Sequence, residues 1–99
     1  RLAQQFREVQ GRLAAVRVVG EAGAGQVRAT FDGKGDLVEV HIDPALVQSG
    51  DTEMVEQLVT AAVQHGLQLA REAAQMEMQG LMGGFDLGGL MGMLGGGRS

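Results

Sequence analysis

The 99-residue sequence contains no cysteine, no tryptophan and no tyrosine, and only two serines. Without cysteine it can form no disulfide, no thiolate metal site and no cysteine nucleophile. His41 and His65 lie in different predicted elements, and no serine or carboxylate pattern completes a catalytic set with either of them. A site built from His65, Met76 and Met78 lacks the clustered methionines typical of thioether metal sites. The sequence therefore predicts a protein that is not an enzyme and that uses no cofactor or metal.

Long hydrophobic runs are also missing. Residues 1–10 are polar and amphipathic, which disfavours a secretory signal peptide. The apolar residues near the C-terminus are interrupted by glycine and by Asp86, so this stretch is too weakly apolar to enter a bilayer. Together with the absence of cysteine, these features predict a cytoplasmic protein with no membrane partner.

Aromatic residues are scarce, and glycine is concentrated at one end. Residues 80–99 hold nine of the 17 glycines, and glycine loses the most backbone entropy on ordering. We therefore expect a folded domain at residues 1–79 and a disordered tail at 80–99, with an interaction segment as the alternative for the tail.

A domain of roughly eighty residues with two phenylalanines has a marginal core. Oligomerisation is the expected supplement.

Charge is unevenly distributed along the chain. The net charge of −4 argues against a nucleic-acid partner, but residues 1–28 hold five arginines against two glutamates. Lysine occurs only at position 34. The positive end of the molecule is therefore its first segment, and any attraction to phosphate is expected there.

Two helices are predicted from apolar spacing. In residues 2–16 the apolar side chains recur at intervals of 4, 3, 4 and 3, which predicts a helix with a narrow coiled-coil-like seam: Leu2, Phe6, Val9, Leu13 and Val16. Two heptads do not form a stable helix alone, so this seam must meet another helix. A long helix is predicted for residues 52–79, capped by Asp51. Gly66 in its middle indicates a close approach to a neighbouring element.

Three short segments between the helices alternate apolar and polar residues, at residues 17–21, 26–31 and 37–42. They predict a three-stranded antiparallel meander whose apolar side packs under the long helix. The loop at residues 32–36 is predicted to be a hairpin turn with a solvated lysine and no residue suited to a core. Asp43 and Pro44 then predict the start of a short helical turn to about residue 47. The predicted fold is α+β, in the order helix, meander, short helical turn and long helix.

Two surface features have both a functional and a simpler interpretation. The basic residues of the first helix suit phosphate binding but also suit an ordinary solvated face. A stripe of glutamines on the long helix, interrupted by Arg71, can donate hydrogen bonds to phosphate or base edges, but an uncharged solvated face is the simpler and favoured interpretation. Four glutamates on the same helix weaken simple electrostatic docking.

The order of these motifs resembles the YbaB/EbfC nucleoid-associated proteins. The resemblance rests on four motifs in sequence: a GEAGAG turn at residues 20–25, an alternating strand at 25–29, a G-x-G turn at 33–35 and a strand ending in IDP at 42–44. It covers nearly the whole chain. Ala29 departs from the pattern, which usually has valine or a similar residue there.

The resemblance implies a bacterial, cytoplasmic, nucleoid-associated homodimer that joins through its sheets and holds double-stranded DNA between arms formed by the first and last helices. It implies little sequence specificity and an effect on chromosome organisation and gene expression. Carried onto this chain, the candidate DNA-binding residues are Arg7, Arg12, Arg17, Gln68, Arg71 and Gln75. The alternative is a protein-interaction adaptor whose apolar seam and Leu/Met-containing tail recruit a DNA replication or recombination protein.

Overall fold

The computed structural model of the chain describes residues 1–82, and the side chains through residue 80. The tail was predicted at residues 80–99; residues 80–82 continue the last helix, and residues 83–99 lie outside the described part. The elements follow in the order α1 (Leu2–Ala15), β1 (Val18–Ala22), β2 (Val27–Phe31), β3 (Leu37–Ile42), α2 (Pro44–Gln48) and α3 (Thr52–Met82). This is the predicted α+β fold. The predicted boundaries differ from the observed ones by three residues at most, and the largest difference is the continuation of α3 to Met82.

The three strands form an antiparallel sheet in the order β1-β2-β3. Gly20 of β1 and Val40 of β3 both lie opposite Ala29 on the central strand. The pairing of β2 with β3 shifts after Thr30, so that Phe31 faces Leu37 and one residue of β3 forms a bulge. The predicted meander is therefore confirmed.

The core lies between α3 and the first two strands. It contains the alternate residues of β2 that point to one face, together with one residue of α2 and two small residues of α3: Val27, Ala29, Phe31, Leu46, Ala62 and Ala70. Alternation along a strand places every second side chain on the same face, which is why β2 supplies three of these six residues.

Two glycines bring α3 into backbone contact with the sheet. A Cβ atom on Gly20 would overlap the backbone nitrogen of Gly66, and a Cβ on Gly66 would lie 2.6 Å from the ring of Phe31. The close approach predicted from Gly66 is confirmed, and its partner is Gly20 on β1. Neither position has room for a side chain.

The apolar side of β3 packs against the core at Ile42, but the rest of it is not covered by any described part of α3, which corrects the prediction for this strand. The helix contacts β1 and β2, while Leu37, Val38 and Val40 are 50, 48 and 37% exposed. The reason is the path of α3, which lies over the first two strands because their small residues, Gly20 and Ala29, admit it closely. One apolar strip therefore remains uncovered along the edge strand of the sheet.

Both predicted helix caps are present. The Oδ1 atom of Asp43 accepts a hydrogen bond from the backbone N–H of Ala45 at 2.9 Å, with Pro44 in the first helical turn. The Oδ1 atom of Asp51 accepts one from the N–H of Met54 at 3.0 Å. Each carboxylate satisfies a backbone donor that has no partner within its helix.

The turn between β2 and β3 has the predicted exposed lysine, Lys34, but it also contains a buried residue, which the sequence did not predict. Asp32 is 8% exposed, and its Oδ1 atom accepts hydrogen bonds from the N–H groups of Lys34 and Asp36 at 2.9 and 3.0 Å. The N–H of Gly33 donates to the carbonyl oxygen of Leu13 at 2.8 Å. The turn thus attaches the end of α1 to the sheet, and its buried carboxylate has hydrogen-bond partners.

Candidate functional site

The two helices predicted to form an arm contact each other along α1 and the C-terminal part of α3. Val9 and Leu13 of the predicted seam are buried, at 1 and 7% exposure. Leu2 and Phe6, on the same stripe, are 66 and 52% exposed. Within the described part of the chain, the seam therefore meets another element only in the second half of α1, and Leu2 and Phe6 on its first two turns are exposed.

Arg7 and Arg12 are both exposed on α1, but they do not form a single patch. At 100° per residue, their spacing places them about 140° apart around the helix. Nε of Arg12 donates a hydrogen bond to Oε1 of Glu77 on α3 at 2.8 Å. Arg12 thus lies at the contact between the two helices, whereas Arg7 faces away from it.

Arg17 was grouped with the candidates of the first helix, but it lies between α1 and β1. Its Nη1 atom donates to the carbonyl oxygens of Ala14 and Val16, at 2.8 and 2.9 Å. Carbonyls at the end of a helix lack partners within the helix, and a cation there is favourable. The guanidinium therefore helps to terminate α1, and the side chain is still exposed.

The three candidate residues on α3, Gln68, Arg71 and Gln75, are all exposed. We call them the α3 stripe. Helical geometry places them within about 60° of one another. The buried Ala62 and Ala70 lie on the opposite side of α3, so the α3 stripe points away from the sheet. Within the chain, α3 does not bring this stripe together with Arg12, which contacts Glu77 on another side of the helix.

The outer face of the sheet carries one basic residue that the sequence reasoning did not select. Arg28 on β2 is exposed and lies opposite Glu21 of β1 and His41 of β3, with Glu39 also on this face. The alternation of β2 could have identified it, because Arg28 falls between two apolar positions. Its carboxylate neighbours leave no net positive patch on this face.

Neither a metal site nor a membrane span is found in the described part of the chain. Residues 1–82 contain no group of three or more His, Cys, Asp or Glu side chains arranged to hold a metal ion. None of the helices described combines the length and the apolar content that a bilayer span requires.

Comparison with known proteins identifies relatives over most of the chain. Residues 1–85 match the sequence profile of the YbaB/EbfC DNA-binding family. A nucleoid-associated protein of Desulfotalea psychrophila is 35% identical, covering 88% of this chain and 89% of that protein. A nucleoid-associated protein of Granulibacter bethesdensis is 44% identical, covering 81 and 75%.

A solved structure shares the fold. An uncharacterized protein from Helicobacter pylori superposes with a TM-score of 0.71 at 21% sequence identity, over 81% of this chain and 84% of that one. The same arrangement of helices around a three-stranded sheet therefore occurs in an experimentally determined structure.

Proposed function

This chain belongs to the YbaB/EbfC DNA-binding family, and from that premise we propose that it binds duplex DNA as a homodimer through α1 and α3. The proposed binding has little sequence specificity, and its consequence is the organisation of a bacterial chromosome and an effect on gene expression. The names of its relatives, which are nucleoid-associated proteins, support a place on the nucleoid within the cytoplasm.

The observation that carries this proposal, beside the family match, is the exposure of every candidate side chain on α1 and α3. Arginine donates to phosphate oxygens, and glutamine can donate to phosphate, sugar or base edges. Phosphate contacts carry no sequence information, so a surface that relies on arginine binds many duplexes similarly. The glutamates of α3 repel phosphate, so the electrostatic attraction to DNA comes mainly from the arginines of α1.

The uncovered strip on β3 supports the homodimer. Leu37, Val38 and Val40 are at least 37% exposed, and Val47 of α2 is 57% exposed. A second copy would remove this apolar surface from water, which is favourable in proportion to the area buried. A dimer would also have two arms. Both could contact one duplex, so twice as many arginines would be available as in a single chain.

One observation favours the adaptor function as a second candidate. Leu2 and Phe6 present apolar side chains on consecutive turns of α1, and such a stripe is typical of a helix that binds an apolar groove in another protein. Capture of a protein partner through this stripe would be insensitive to salt. Binding to DNA through arginine would weaken steeply as salt increases.

The proposal is tested by replacing Arg7, Arg12 and Arg17 together with glutamine. We expect weaker binding to every duplex in a mobility-shift titration at two salt concentrations. The slope of log affinity against log salt is negative, and each lost phosphate contact should make it shallower by about 0.9. Because Arg17 also caps α1, circular dichroism must first show that the variant folds, and Arg7→Gln with Arg12→Gln serves as a second variant that keeps the cap.

Replacing the α3 stripe with alanine provides the comparison. The variant loses one charge per protomer, at Arg71, so we expect reduced affinity with a smaller change in salt slope. Its three positions are exposed and lie away from the core, so folding should be retained. A folded arginine variant that binds DNA as tightly as the parent would refute DNA binding through α1 and leave the adaptor function in its place.

A further inference from the structure

The contact between Arg12 and Glu77 is the only ion pair among the residues whose side chains the structure describes. It joins two side chains that are 65 residues apart in sequence, one on each helix of the arm. The Arg12 side chain is 53% exposed and that of Glu77 is 30% exposed. An arginine proposed to contact DNA is thus bound to a carboxylate of its own chain.

A carboxylate and a phosphate present the same acceptor chemistry to a guanidinium, since both offer anionic oxygens at similar spacing. The contact in this arm uses Nε of Arg12, which is one of five N–H donors of the side chain. A phosphate can therefore approach the remaining donors before the carboxylate leaves. The two anions then compete for one cation.

The groove beside the pair adds no further charge, and Glu8, one turn before Arg12 on α1, forms no ion pair with it. The groove beside them is lined by Ala15, Val16 and Ala73, together with Met76. None of these side chains carries a charge that could substitute for Glu77 or neutralise Arg12. The partial exposure of both partners keeps the pair weak, because exposed ion pairs contribute little free energy.

We propose that Glu77 is an autoinhibitory residue that competes with DNA phosphate for Arg12 and so lowers the affinity of the arm for DNA. The inference rests on the proposed DNA binding through α1. Glu77 holds Arg12 when DNA is absent, and phosphate displaces it when DNA binds. The carboxylate also remains near the interface after displacement, which favours release of the duplex.

The test is the replacement Glu77→Gln, with Glu72→Gln as the matched control. Glu72 is an exposed glutamate of α3 that forms no ion pair with any residue described, so its replacement removes the same charge without freeing an arginine. We expect Glu77→Gln to bind a labelled duplex about two- to fivefold more tightly than Glu72→Gln at low salt, in a fluorescence anisotropy titration.

The same replacement in an Arg12→Gln background separates competition from general repulsion. If Glu77 acts through Arg12, the additional gain of Glu77→Gln over Glu72→Gln disappears in this background, giving a coupling in the double-mutant cycle. Equal gains from the two glutamate replacements, or a gain that persists without Arg12, would overturn the autoinhibitory role. A parent protein that binds no DNA at all would instead refute the proposed function.

Discussion

Replacement of Gly20 by alanine is expected to lower the melting temperature by roughly 10–20 °C. The new Cβ atom would overlap the backbone nitrogen of Gly66 and lie 2.5 Å from the carbonyl oxygen of Ala62. Backbone atoms cannot rotate away as a side chain can, so α3 must move off the sheet. Overpacking of this kind costs about 1–3 kcal/mol or more, and each kcal/mol corresponds to about 4–8 °C in a domain of this size.

Gly11 provides the matched control, because it receives the same added methyl group in open space. It lies inside α1, and a Cβ atom there would have nothing within 4 Å. Alanine in a helix interior is more favourable than glycine by roughly 0.5–1 kcal/mol, so Gly11→Ala should melt at the same temperature or slightly higher. Thermal melts followed by circular dichroism measure both variants. Equal melting temperatures for the two variants would contradict the tight contact between β1 and α3, because they would show that a methyl group fits between Gly20 and Gly66.

Replacement of Val40 by aspartate is expected to convert the proposed dimer into a monomer and to weaken DNA binding by about a hundredfold or more. An aspartate on the uncovered strip of β3 would place a charge without a partner in the interface between copies, and that is strongly unfavourable. Two linked arms bind more tightly than one by a factor of about 10²–10⁴, so loss of the second arm should remove most of the affinity. Light scattering and anisotropy titration measure the two effects.

Val19 is the control for this experiment, since it is a valine of similar exposure on the opposite face of the same sheet. It is 43% exposed, compared with 37% for Val40. Val19→Asp should remain a dimer and bind DNA normally. The reverse result, with Val19→Asp monomeric and Val40→Asp dimeric, would assign the interface to the polar outer face. Monomeric behaviour of the parent itself would remove the dimer from the proposal.

Much of the fold follows from residues close together in sequence. The 4-3-4-3 spacing in α1, the alternation in β2 and the carboxylates at Asp43 and Asp51 each describe a local hydrogen-bonding or packing need. Such needs are met within one helical turn or one strand, so they can be identified without knowing the neighbours. Gly66 also indicated a close approach, because a glycine inside a helix is unfavourable unless a neighbour needs the space. The sequence around Gly20 did not identify it as that neighbour.

The candidate site was less predictable, because the contacts of its side chains depend on residues that are distant in sequence. The exposure of the arginines on α1 followed from the position of the seam. That Arg12 contacts Glu77 depends on how α1 crosses α3, and local spacing does not specify that crossing. Arg17 was grouped with the candidates of the first helix, yet α1 ends at Ala15 and carbonyl oxygens at its end accept hydrogen bonds from the guanidinium.

By itself, the sequence determined the type and order of the elements, their caps and the apolar face of each one. The tertiary structure decided which of those faces are covered. Because Gly20 and Gly66 let α3 lie directly on β1 and β2, Leu37, Val38 and Val40 of β3 are left without a cover. Periodicity records which side of a strand is apolar, but only the path of a distant helix decides whether that side meets the same chain or remains open for another one.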